Sequence, residues 1–192
     1  MSRISDAEDL ILSKIGDTMV DGGGAPVIRV NETIPGPMSH NVLKQMAQNA
    51  PAVYTAFLGG KGESDIDREI KARFTVYLVS RNARGAEARR RGGTQEIGIY
   101  DMMDALIPQL DGLDLPDVSR MELSDVRNMF TLQLELNLGA AIYALVFELP
   151  NFDFGNVTDE SALNDFVTYA ATHSISDDVD VLTSQDKVTL EQ

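Results

Sequence analysis

Phe74-Thr-Val-Tyr-Leu-Val-Ser-Arg-Asn82 is the stretch on which the fold turns. Together with the residues before it, Ala72, Phe74, Val76 and Leu78 alternate with Lys71, Arg73, Thr75 and Tyr77, the pattern of a half-buried strand. After it comes an arginine-rich loop ending at Gly92-Gly93, then an amphipathic helix over 97–110. That helix aligns Ile99, Met103, Leu106 and Leu110 on one stripe, with Asp101 and Asp104 off it. Further on, Ala141-Ile-Tyr-Ala-Leu-Val-Phe-Glu-Leu149 reads as a buried strand.

Toward the N-terminus, Ser5-Asp-Ala-Glu8 has the spacing of a capping box. It predicts a helix with Ala7, Leu10, Ile11, Ile15 and Met19 on its apolar side, ended by Gly22-Gly-Gly24. Pro26–Val30 is a strand candidate, and Ser39 caps a second helix bearing Val42, Leu43, Met46 and Ala47, stopped at Pro51. Ala52–Leu58 is a strand that Gly59-Gly60 halts, followed by a polar loop from Lys61 to Asp67; it pairs antiparallel with the 71–82 strand. For 118–138 two readings stand. Either Phe130, Leu132, Leu134, Leu136 and Leu138 form a strand turning at Gly139, or Val118–Val126 pairs with the last strand; periodicity favours the first.

These elements predict an α+β, two-layer α/β domain over residues 1–150, with a mainly antiparallel sheet of four to five strands and helices packed on one face. Residues 151–192 form an acidic C-terminal extension, holding nine Asp and Glu against Lys187 alone. Within it, 162–169 has helical character, and 180–190 suits an edge strand or a docking arm. The length of 192 residues fits one compact domain with an extension.

The chain has no cysteine and only His40 and His173, which removes thiolate chemistry, disulfides and Cys-containing metal sites. No apolar run has the roughly 20 residues needed to span a bilayer. No secretory leader is visible at Met1, so a soluble protein folded in the cytoplasm is expected. A net charge of −14 is ill-suited to gripping DNA phosphates and better suited to a surface that DNA passes without sticking.

Candidate chemical motifs are weak. Gly59-Gly-Lys-Gly62 lacks the Ser or Thr and the following helix of a phosphate loop, and reads as a turn. Asp177-Asp-Val-Asp180 lacks the glycine and distal Glu of a calcium loop. His173 near Ser174 and Asp177 is proximity in sequence, not a triad, and His40 is a first-turn helix residue. No catalytic, metal or cofactor site is therefore assigned. The charge anomaly is Arg81, Arg84, Arg89, Arg90 and Arg91, opposed within that span only by Glu87. Arginine forks pair with carboxylates, which makes this loop a candidate subunit or partner contact ahead of a solvated loop or a DNA patch.

Taken in order, the N-terminal helix, Pro51–Gly60, Phe74–Asn82, Arg84-Gly85, Gly98-Ile-Tyr100 and Ile142–Phe147 resemble the tail proteins of Mu-type contractile-tailed phages. The resemblance implies a tail terminator or tail-completion protein of the virion tail or neck, made in the host cytoplasm. It implies a sixfold ring on the head-proximal end of the tail tube that stops tube polymerisation, meets the head–tail connector, and involves no cofactor or membrane. The tail tube protein and possibly the sheath are the implied partners, with DNA passing through the ring unbound. A head-completion or neck protein is the alternative, and a small binding module or enzyme a more distant one.

Overall fold

The computed structural model describes residues 2–35, 40–62, 69–93, 96–115, 119–129, 139–153, 168–177 and 180–189. The chain divides into two compact units, Met1–Phe154 and Gly155–Gln192. The first unit is α+β. Its main sheet has five strands in the order β1 (Val30–Thr33), β2 (Ala52–Gly62), β3 (Glu69–Arg81), β7 (Ala140–Asp153) and β6 (Glu122–Asn128). Pairs β2–β3, β3–β7 and β6–β7 are antiparallel. The β1–β2 pair is parallel because α2 (His40–Gln48) carries the chain back between them. A small ladder joins β4 (Asp114–Leu115) to β5 (Ser119–Arg120).

Long helices cover one face of the sheet, as the patterning predicts. α1 (Arg3–Thr18) buries Ala7, Ile11 and Ile15, and α4 (Ile99–Leu110) buries Ile99, Met102, Leu106 and Leu110. These pack with Val53, Phe74, Val76, Leu78, Leu145, Phe147 and Phe152 in one core. The short α2 adds cover to the other face, where Met46 meets Ala52, Tyr54, Tyr77, Val79 and Ile142. β3 is consequently buried on both faces: Thr75, Tyr77 and Val79 are as inaccessible as Phe74 and Val76. On α4 the buried methionine is Met102, and Met103 lies at the rim.

Local expectations shift where tertiary contacts compete. α1 begins at Arg3 behind Ser2, which makes no side-chain cap bond, so Ser5 lies inside the helix and is exposed. The Glu8 carboxylate accepts a bond from the Phe57 amide instead, tying α1 to β2; burial raises its pKa despite that bond. The first strand is Val30–Thr33, and Pro26 makes only an isolated bridge to Val20. The Asp21 side chain folds that approach into a turn by accepting bonds from Gly23 and Ala25 amides at 2.8 Å.

Gly59-Gly60 does not stop β2. The register slips between Phe57 and Gly60, and Gly59 adopts φ 84°, so the glycines make a β-bulge and the strand continues to Gly62. A Cβ on Gly60 would lie 2.8 Å from the Lys71 carbonyl oxygen. A second slip, between Ile70 and Ala72 against β7, coincides with Pro150 and with Asn151 at φ 56°. β7 thus runs on past Pro150 to Asp153 and fully buries Phe152.

Both long edges of β7 are occupied, by β3 and by β6, so its second partner is Glu122–Asn128. The favoured strand at 130–138 lies outside the described residues. So do Ser39, most of the polar loop, most of the helical stretch 162–169, and the centre of the 177–180 acidic turn. In the second unit, Tyr169 is in β8 (Thr168–Asp177), which pairs antiparallel with β9 (Asp180–Thr189). His173 is a β8 residue paired in register with Ser184.

Candidate interaction site at the arginine corner

The arginine segment is not a simple loop. Arg81 ends β3, Arg84 lies in the turn after it, and Arg89, Arg90 and Arg91 sit on a short helix, α3 (Ala86–Arg91). Local chemistry explains the helix. Basic residues in its last turn suit the negative end of the helix dipole, and Glu87 pairs with Arg91 at 3.3 Å across one turn. Gly85 at φ 111° and Gly92 at φ 73° let the chain enter and leave it sharply.

Asn82 pins this corner to the domain. It is buried, its amide donates to the Glu96 carboxylate, and its side-chain oxygen accepts from the Arg84 amide at 2.8 Å. Its backbone carbonyl accepts from Arg89 Nε at 3.1 Å. Two residues earlier, the Ser80 hydroxyl donates to the Ile97 carbonyl at 3.3 Å. The end of α3 then presses on the start of α4. A Cβ on Gly98 would meet the Arg90 carbonyl oxygen at 2.6 Å, so only glycine fits there. Asp101 closes the junction by accepting from the Gly98 amide at 2.9 Å.

The five arginines therefore do different things. Arg89 is turned inward to Asn82, and Arg90 places its charge near Tyr143. The Tyr143 hydroxyl is nevertheless raised in pKa, first by burial and then by its bond with Tyr100. The two rings meet edge-on, with centroids 6.4 Å apart and planes at 83°. Arg81, Arg84 and Arg91 are exposed. Consecutive helix residues point about 100° apart, so Arg89, Arg90 and Arg91 cannot share a face. The residues that position the cluster (Asn82, Ser80, Gly98 and Asp101) carry no signal in the sequence beyond an unremarkable Asn and a Gly, because their partners lie up to 17 residues away.

A groove of ≈ 450 Å³ lies at the other end of β3, lined by Leu58, Gly59, Gly60, Lys61, Lys71, Arg73 and Glu148. Glu148 pairs with Lys71 at 2.7 Å and with Arg73 at 3.1 Å, and these two hold its carboxyl below the usual range. The Gly59–Gly62 motif is strand here, with no helix opening behind it. Among the described residues no three His, Asp or Glu side chains cluster to hold a metal ion. No described helix is long and apolar enough to cross a membrane.

Set beside known proteins, the chain matches the family described as "Bacteriophage Mu, Gp37" over residues 3–152. The chain belongs to the phage Mu Gp37 family. The match spans the Gp37-family sheet from α1 to Phe152, including the arginine corner. One relative, the "Mu-like prophage FluMu protein gp37" of Haemophilus influenzae, is 25% identical over 191 residues, covering 100% of this chain and 91% of the relative. Another, the "Probable tail terminator protein" of Escherichia phage Mu, is 24% identical over 151 residues, covering 79% of this chain and 78% of the relative.

Proposed function

We propose that this Gp37-family protein is a tail terminator, a virion structural protein that ends the growing tail tube. The observation that carries the reading is its likeness, over 79% of its length, to the phage Mu protein described as a probable tail terminator. In this reading copies of the chain form a ring, a hexamer, on the head-proximal end of the tube. The ring presents a face to which no further tube subunit adds, and that face meets the head–tail connector. The work is done by contacts, not by bond chemistry, and a heterologous interface is the geometry that closes such a ring.

Two features of the chain support the proposal. The exposed arginines Arg81, Arg84 and Arg91 stand on a braced corner and put positive charge on the surface of an acidic molecule. A net charge of −14 lets DNA slide through a bore without adhering. The test is electron microscopy of particles made by a phage that lacks the gene. Tails of variable excess length, without heads, are the expected result. Tails of normal length beside unjoined heads would move the protein to the neck, and intact infectious particles would end the structural reading.

A further inference from the structure

We propose that the arginine corner of one copy of this chain binds the acidic outer face of α1 in a second copy. The proposal rests on the ring reading above and names the contact between neighbouring subunits. On a molecule of net charge −14, residues 81–91 hold five Arg and one Glu, net +4. Arg81, Arg84 and Arg90 make no ion pair with any carboxylate among the described residues. Arg91 holds only Glu87, in a pair whose side chains are 72% and 73% exposed. Such an exposed pair is weak and exchanges readily for a carboxylate from outside. The groove at the far end of β3 offers less, because Glu148 already engages both Lys71 and Arg73.

α1 presents the matching charge. Asp6, Asp9 and Asp17 are all exposed, and at 100° per residue they fall within about 80° of one another around the helix. Ser13, also exposed, lies between them, and the stripe runs about 16 Å along the helix surface. Arg3 and Lys14, the bases of this helix, project about 40–60° outside it. None of the three carboxylates makes an ion pair among the described residues. Asp114 and Asp125, by contrast, already hold Arg120 and Arg127. No other described helix or strand of the first unit contains more than two acids.

The fold keeps the two patches apart within one molecule. α1 lies over β1 and β2, whereas the corner is built on β3 and β7, with α4 packed against each. Both patches belong to the first unit. An α1 carboxylate that reaches the corner therefore belongs to another copy. Charge sets the direction of the contact as well. Corner against corner and α1 against α1 repel, so the mixed pairing alone is attractive. Two different surfaces of one chain that attract each other make a heterologous contact, the kind from which a closed ring is built.

The chain contains no cysteine, so single substitutions report contacts without background. Ala83→Cys places a thiol beside Arg84, and Ser13→Cys places one within the α1 stripe; both positions are exposed, and every charge is kept. The two full-length proteins are mixed, oxidised mildly and run on a non-reducing gel, with wild-type assembly sized in parallel. The expected product is a mixed disulfide dimer in clear excess over the dimers that either protein forms alone. A ring-forming protein that gives no such excess overturns the contact and leaves the ring reading standing. A wild type that stays monomeric, even with tube ends added, takes down the ring reading and this contact together. Charge reversal is the second measurement. Arg84→Glu with Arg91→Glu, both at exposed positions, weakens assembly roughly tenfold or more, with an unchanged urea melt. Adding Asp9→Lys and Asp17→Lys to the same chain restores it. Assembly of the arginine variant at wild-type yield, or a loss that the α1 lysines leave unrestored, overturns the proposal.

Discussion

Asn82 carries more of the corner than any of the arginines it holds. Its side chain bonds Glu96 and the Arg84 amide from a buried position, and its carbonyl holds Arg89. Asn82→Ala leaves the Glu96 carboxylate and the Arg84 amide short of a partner, keeps the backbone bond to Arg89, and is expected to cost about 1–3 kcal/mol in urea denaturation. Glu148 provides a pH-dependent counterpart at the opposite end of β3. Its folded pKa is lowered below the ordinary 4.5 by Lys71 and then Arg73. A lowered carboxylate contributes stability above its unfolded value, and that contribution is lost as pH falls through the folded one. Glu148→Gln should therefore lower stability by about 0.5–1 kcal/mol at pH 7. The gap to wild type should close on acidification below 4.5, as followed by melts across pH.

Among elements, the α3–α4 junction is the most demanding piece of packing. Gly98 touches the backbone of Arg90 and Arg91, so Gly98→Ala has to push two helices apart. A loss of about 1–3 kcal/mol is expected, with faster hydrogen exchange confined to residues 86–102. Pattern reading finds the strands at β3 and β7 and the helix α4, because long apolar runs with a clear period outweigh local detail. It misreads Gly59-Gly60, since glycine marks both the end of a strand and a bulge within one, and only the partner strand decides between them. It also ranks the alternative at Val118–Val126, which overlaps β6, below a strand at 130–138 that lies outside the described residues. Glu122–Asn128 is an edge strand among the described residues, mostly exposed, with Leu123 and Val126 as its only aliphatics larger than alanine. Such a strand is specified by β7's free edge and not by its own alternation.

At the scale of the whole molecule, the natural place to cut the chain follows from Phe152. A chain ending at Phe154 retains every buried residue of the first core and should unfold cooperatively. One ending at Pro150 loses Phe152, which is fully buried against Phe74, and should be less stable by about 3–5 kcal/mol. Urea melts of the two truncations distinguish these outcomes. The arginine cluster was legible from composition alone. Its division into inward Arg89 and outward Arg91 was not, because it depends on where one helical turn starts. That is why the informative charge reversal is at Arg84 and Arg91, leaving Arg89 in place. The family, too, was legible in the order of the elements, although the individual motifs are short.

The pairing of β3 with β7 has a consequence in time. β3 is complete once Arg81 has been made, but its second hydrogen-bonding edge is not covered until Asp153 has followed. During translation at about 5–20 residues per second, that interval is roughly 4–14 s. For those seconds β3 has one edge of backbone N–H and C=O groups without its partner strand, the kind of edge on which a second copy could pair. Lys71 and Arg73, at alternate positions of β3, put like charges on that edge, which oppose such pairing until Glu148 on β7 comes to pair with both.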